Sequence, residues 1–229
     1  MLAKRIIPTM LCRGRALVKG KQFAGDRVVG HVQQAARVHA MRGVDELVIL
    51  DIGATKEGRG PDLNMIWELS AGCHIPITVG GGVKALNDID ACLRAGADKV
   101  CIGAAAEPWF ISAAASRFGR QAIVVSVDHR PGFDAVANAK SLEAGEILLQ
   151  SIERDGMLCG YDLDLIRAVS EAVDIPVIAS GGCGTYEHMH EAVKAGADAV
   201  AAGAMFQFTD ATPRKAAQYL KAKGVEVRL

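Results

Sequence analysis

A chain of 229 residues, half of them hydrophobic, is long enough to bury the core of one large α/β domain. Its 26 basic residues balance 26 acidic ones, which excludes a bulk electrostatic attraction to nucleic acid or to an anionic membrane. No apolar run reaches membrane-span length and the start, MLAKRIIPTML, lacks a small-residue cleavage site, so a cytoplasmic protein is expected.

In chain order, short apolar runs rich in β-formers alternate with helical patterns. The predicted strands are Arg5–Leu11, Glu46–Asp51, Pro76–Val79, Lys99–Gly103, Ala122–Asp128, Glu146–Ser151, Pro176–Ser180 and Ala199–Gly203. Between them, segments such as DIDACLRAG and DLDLIRAVSEAV repeat with a helical period, and several helices close on glycine, as at Gly96 and Gly196. Near-continuous apolar strands separated by helices imply a parallel sheet buried on both faces. Eight strands with eight crossovers predict one (β/α)8 TIM barrel domain over residues 1–229. An open doubly wound sheet is the alternative, but TMLCRGRALVKG, after the first strand's Pro8, is not the GxGxxG that a dinucleotide fold places there. No linker or low-complexity tract marks a second domain.

The six cysteines have no CxxC spacing and read as buried reduced thiols, not as metal ligands or disulfides. His188 and His190 fall on a helical segment and are expected to face solvent. No cofactor or metal is indicated.

The chain echoes itself at an offset of one hundred positions. IPITVGGG from Ile75 is answered by IPVIASGG from Ile175, and RAGADKVCIGA from Arg94 by KAGADAVAAGA from Lys194. The register holds without a gap from Glu46/Glu146 to Ala104/Ala204, which predicts a barrel of two similar halves. Gly81 and Gly82 follow the third predicted strand, and Gly181 and Gly182 the seventh. Gly103-Ala104 and Gly203-Ala204 follow the fourth and eighth. Glycine lets backbone approach a ligand closely, and N–H groups at helix starts hold phosphate oxygens. Each half would then clamp one phosphate, and the ligand would be a small molecule phosphorylated at both ends; the bland alternative is that the glycines only make turns. At the other end of the barrel, four strands begin with a charge: Arg5, Glu46, Lys99 and Glu146. With period-two alternation all four point inward, where they would need to pair with one another. On its own such a ring is a stability cap.

The motifs AKRIIP, VDELVILDI, TVGGG, GADKV, GEILLQSIERDG, GYDLDLI and IASGG fall in order at matching strand ends. Together they resemble the cyclase subunit of imidazole glycerol phosphate synthase, the HisF-like group of histidine-biosynthesis barrels, over almost the whole chain to the terminal YLKAKGVEVRL. The resemblance implies a glutaminase partner docked below the barrel. It implies ammonia crossing the lumen to a bis-phosphorylated ribulosyl-aminoimidazole at the top. Arg5, Glu46, Lys99 and Glu146 match the ammonia gate, and Asp98 matches a partner contact. Asp128 matches one of two catalytic aspartates. Lys19, Asp51, Asp155 and Gly156 match substrate-contacting positions, although Lys19 in a loop can equally be a solvated cation and Asp51 can equally cap the next helix.

The departures cluster at the top. Leu11 stands where the other catalytic aspartate is expected, and no acid occurs between Met1 and Asp26. Gly103 replaces an Asn, Gln150 a Thr and Gly203 a Ser, and HRPGFDAVANAKSLEAG is too short for an extra hairpin plus a full helix. General acid–base chemistry needs a titratable group, and losing one commonly costs about 10²–10⁴ in rate. The expectation is therefore an ammonia-dependent cyclase/lyase with weakened or altered chemistry. The alternative is a non-cyclase paralogue conducting ammonia for acetamidino modification of surface-polysaccharide sugars. Such relatives share the leucine but keep a longer segment after strand five, and the tail KGVEVRL looks like the histidine-pathway enzyme. A cofactor-free barrel enzyme of another phosphosugar pathway is a third class.

Overall fold

The computed structural model describes residues 3–103, 106–140 and 143–229. In chain order these form β1 (Arg5–Arg13), β2 (Ala16–Lys21), β3 (Ala24–His31), α1 (Val32–Met41), β4 (Leu47–Asp51), α2 (Leu63–Gly72), β5 (Ile77–Gly80), α3 (Leu86–Arg94) and β6 (Lys99–Gly103). The second half continues with α4 (Pro108–Phe118), β7 (Ile123–His129), α5 (Ala135–Lys140), β8 (Glu146–Ser151), α6 (Leu163–Ser170), β9 (Val177–Ser180), α7 (Tyr186–Lys194), β10 (Ala199–Ala202), α8 (Ala204–Phe208) and α9 (Pro213–Ala222). Strands β1 and β4 to β10 pair in parallel with their neighbours, and β1 closes the ring on β10 through Arg5 opposite Ala199 and Ile7 opposite Ala201. The fold is a (β/α)8 barrel. Among the described residues no helix is long and apolar enough to cross a membrane.

All eight predicted strands are present, their ends shifted by no more than two residues. The echo between the halves has a physical content. Asp98 accepts from the Ile77 N–H at 2.9 Å and Asp198 from the Val177 N–H at 3.1 Å, so each ties the start of one strand to the loop before the next. Asp62 and Asp162 cap α2 and α6 by accepting from Met65 N–H (3.0 Å) and Leu165 N–H (3.2 Å). The repeated residues encode the same joints twice, one kind leading into a helix and the other into a strand.

Strands alternate between two cores. Outward residues such as Ile49, Val79, Ile123 and Ile147 pack under the helices, whereas Ile7, Val48, Cys101, Val124, Leu148, Ile178, Ala199 and Ala201 fill the lumen. Burial pushes the Cys101 thiol up to about 12, with the Asp128 charge adding to the effect, so the lumen wall there is neutral. Cys12, Cys73, Cys92 and Cys183 are likewise free and buried; Cys159 is exposed.

Two expectations are corrected. The loop expected around Lys19 is a hairpin, β2–β3, that extends β1 in antiparallel fashion. His188 and His190 are half-buried rather than solvent-facing: His188 Nδ1 accepts from the Gly184 N–H at 3.2 Å, and His190 Nδ1 lies 3.3 Å from Glu187. The connection from β7 to β8 is short, with α5 spanning six residues.

Gly182 shows what the second glycine loop requires. Its φ is +97°, and a Cβ there would lie 2.1 Å from the carbonyl oxygen of Gly160. Gly182→Ala is expected to destabilise the fold by at least about 1–3 kcal/mol from backbone strain alone. A chemical-denaturation curve superimposing on wild type would contradict this.

Candidate active site at the mouth of the barrel

The C-terminal ends of the strands surround a cavity of about 300 Å³ whose lining includes Leu11, Leu50, Asp51, Gly81, Cys101, Gly103, Ser126, Asp128, Gln150 and Asp155. It adjoins a recess of about 20 Å³ lined by Thr9, Leu11, Lys19, Gln150, Asp155, Gly156, Gly181, Gly182, Gly203 and Ala204 among others. Leu11, Gln150 and Asp155 border both, so the two hollows form one mouth with one glycine loop of each half at either side. Gly82 stands behind this surface, its N–H donating to Thr55 Oγ1 at 3.3 Å. Ala104 lies outside the described residues.

Asp128, near the end of β7, is exposed to the mouth. Its Oδ1 accepts from Ser126 Oγ at 2.8 Å and from Gln150 Nε2 at 3.0 Å, and the same amide nitrogen donates to Ser126 Oγ at 3.0 Å. Two side chains, one on β7 and one on the adjacent β8, thus fix one carboxylate oxygen and leave Oδ2 for a ligand. Sequence reasoning noted Gln150 only as a departure and missed Ser126. The available signal was period two: Ser126 lies two residues before Asp128, on the same inward face.

Lys19 is buried on β2, and its Nζ donates to both Asp155 oxygens at 2.7 and 2.8 Å. This overturns the solvated-cation alternative: the ammonium is pinned over the loop after β8. The hairpin is stitched there by backbone as well, Gln22 N–H donating to the Asp155 carbonyl at 2.9 Å. Gly156 permits that approach, since a Cβ would meet the Gly20 carbonyl oxygen at 2.5 Å. Asp51 is also buried, and it does not cap a helix. Its Oδ1 accepts from Gly53 N–H (3.0 Å) and Ala54 N–H (3.1 Å), and its Oδ2 accepts from Arg59 (3.1 Å), which folds the loop after β4. Asp62 is the cap of α2.

The opposite end holds the charged ring. Arg5 donates to Glu46 at 2.8 Å and lies 3.0 Å from Glu146; Lys99 donates to Glu46 at 3.0 Å and to Glu146 at 3.1 Å. Thr78, inward-facing on β5, donates to Glu46 Oε1 at 2.5 Å. Burial lowers the affinity of Arg5 for its proton, but the Glu146 and Glu46 carboxylates outweigh that, and its pKa rises above the usual guanidinium range. The result is a closed circuit of alternating sign across the lumen. Asp98, by contrast, is exposed, with no cation within ion-pair distance among the described residues.

Comparison with known proteins decides the family. A family profile described as histidine biosynthesis protein matches residues 5–212. The chain belongs to the histidine-biosynthesis protein family. Within it, the chain is HisF-like: it is 41% identical to the imidazole glycerol phosphate synthase subunit HisF of Dictyoglomus thermophilum, covering all of both chains. It is 43% identical to the subunit of the same name from Pyrobaculum aerophilum, covering all of this chain and 99% of that one. Each alignment runs over 251 positions for a chain of 229 residues, so these HisF subunits carry insertions relative to it.

Proposed function

We propose that the whole chain, as one barrel domain, is a cyclase-type subunit of imidazole glycerol phosphate synthase that receives ammonia through its lumen, with weakened or altered chemistry at the mouth. Full-length identity of 41% to a HisF subunit is the observation that carries this reading. The two glycine-edged hollows suit a substrate with a phosphate at each end. Gly81, Gly82, Gly103 and Ala104 would serve one phosphate, and Gly181, Gly182, Gly203 and Ala204 the other, through backbone N–H groups. Lys19 and Asp155 would close over the substrate as a pair with Gly156 beneath them, while Asp51 holds the rim.

Ammonia is neutral and small, and the charged ring is the narrow point on its way. Arg5, Glu46, Lys99 and Glu146 make a circuit with no net charge, and opening one of its ion pairs would make room for a small neutral molecule to pass. A glutaminase docked on this face, with Asp98 at its contact, would supply the ammonia and the opening force. At the top, Asp128 is the acid or base, with Oδ1 held by Ser126 and Gln150 and Oδ2 free to take or give a proton. Leu11 offers no partner for that transfer. This single position favours the second reading, a paralogue that conducts ammonia for sugar amidation with the ring intact and cyclisation lost.

Binding to the folded state raises stability by mass action. A bis-phosphorylated ribulosyl-aminoimidazole at 100 times its dissociation constant should stabilise the protein by about 2.7 kcal/mol, read as a shift of the thermal midpoint. Absence of any shift at millimolar concentration would sink the substrate assignment. Co-purification with a glutaminase tests the partner separately.

A further inference from the structure

Thr55 and Lys56, in the loop after β4, line the larger hollow of the mouth. At the offset of one hundred they answer Asp155 and Gly156, which line the smaller one. The correspondence holds in the packing as well as in the sequence. A Cβ on Gly81 would meet the Asp51 carbonyl oxygen at 2.2 Å, and one on Gly181 the Ser151 carbonyl oxygen at 2.5 Å. A Cβ on Gly82 would meet the Ala54 Cβ at 3.0 Å, and one on Gly182 the Arg154 Cβ at 2.9 Å. Gly58 and Leu158 share a positive φ, +71° and +58°. Each glycine pair therefore packs on the same kind of loop in the same way, and Lys56 takes in the first half the place of Gly156 in the second.

The two halves differ in where the positive charge comes from. In the second half Lys19 reaches over from β2 and is held by Asp155. In the first half the loop carries its own cation. Among the described residues Lys56 is the one basic residue in the lining of the larger hollow, and its exposed side chain has no hydrogen-bond or ion-pair partner. The carboxylates of its own loop are taken, since Asp51 and Glu57 both accept from Arg59, at 3.1 and 2.6 Å. Two more carboxylates of that lining pair elsewhere, Asp26 with Arg13 and Asp155 with Lys19. The loop is also braced: the Arg59 N–H donates to the Ala54 carbonyl at 2.8 Å, and the Gly82 N–H to Thr55 Oγ1. A single exposed ammonium is ordinarily only solvated. One carried on a braced loop beside a glycine turn, at the edge of a concave site, is placed to meet an anion. We propose that Lys56 is the cation of the first-half anion site and recognises the phosphate monoester held by Gly81 and Gly103, so that it sets the preference for a phosphate over a neutral group at that end of the ligand. The inference rests on the reading of a ligand phosphorylated at both ends. The two ammonium groups then differ in role: Lys19 is bound to Asp155, whereas Lys56 offers three donors and a charge with no protein partner.

Titration of isotopically labelled protein with inorganic phosphate tests this, read at the amides of Gly81 and Gly103 for the first half and of Gly181 and Gly203 for the second. In the wild type both pairs should shift and saturate. In Lys56→Gln the first pair should need about tenfold more phosphate, the worth of one charge-assisted hydrogen bond, while the second pair keeps its wild-type response. Lys56→Arg, which keeps the charge, should restore most of that loss. The gap between wild type and Lys56→Gln should also narrow as sodium chloride is raised, because salt screens an exposed ionic contact. Equal phosphate affinity of the first pair in wild type and Lys56→Gln overturns the proposal and leaves the two-phosphate reading standing. Equal weakening of both pairs overturns it too, since it would reflect the overall charge of the protein and not a local contact. No response of either pair in the wild type overturns the proposal and the two-phosphate reading together.

Discussion

Glu46→Ala is expected to destabilise the barrel by about 3–5 kcal/mol, the cost of breaking a buried ion pair from one side. Glu46 is 2% exposed and accepts from Arg5, Lys99 and Thr78. Its removal leaves two cations in the lumen facing only Glu146, and a buried hydroxyl without its acceptor. Glu146→Ala removes the other anion, but that side chain is more accessible to water and has no threonine donor among the described residues. The smaller loss is therefore expected for Glu146→Ala. Urea midpoints of the two variants give the order, and a Glu46→Ala midpoint equal to wild type would mean that water already screens the circuit. Replacing the whole ring with well-packed apolar residues should cost much less than the single change, because no unpaired charge is left behind.

Asp128→Asn is expected to lower any ammonium-driven turnover by about 10²–10⁴-fold, the usual value of a positioned acid or base. The change leaves the size of the side chain and its contacts with Ser126 and Gln150 nearly intact, so lost activity would report the titratable oxygen rather than a collapsed site. Leu11→Asp is expected not to restore cyclisation. Catalytic groups act as a unit, so returning one member does little while its surroundings are altered. Here Gln150 and Ser126 already take up Oδ1 of Asp128, Gly103 offers no side chain, and the β7–β8 connection carries only the short α5. Recovery of turnover in Leu11→Asp would identify a cyclase damaged at a single position.

The barrel was legible because its strands are continuous apolar runs and its joints are written twice. Asp98 and Asp198 fall in matching GAD motifs and do the same work at 2.9 and 3.1 Å. The ring was legible from parity: a charge two residues before a lumen residue such as Val48, Cys101 or Leu148 must face inward. The β2–β3 hairpin was not legible. Most of β3 is exposed and its pairing with β2 shifts register twice, so neither strand carries a clean alternation of apolar and polar residues. That omission hid the burial of Lys19, whose partner Asp155 lies 136 positions away. Asp51 and Asp62 illustrate the same limit. Both precede helical sequence after a strand, and only the path of the loop makes Asp62 the cap and leaves Asp51 to bind Gly53, Ala54 and Arg59. In the network around Asp128, Ser126 follows from period two within β7, but the Gln150 contact comes from the neighbouring strand β8, which no local pattern in β7 encodes.

The central claim is a substrate-binding, ammonia-receiving barrel whose cyclisation is impaired at Leu11. The most direct measurement is the wild-type rate of cyclisation of the bis-phosphorylated ribulosyl-aminoimidazole in excess ammonium, which bypasses the glutaminase, beside a HisF subunit carrying aspartate at the matching position. The account predicts bound substrate with turnover lower by about 10²–10⁴-fold. Turnover equal to that of the aspartate-bearing subunit would contradict it and mean that another group does the work of the missing acid.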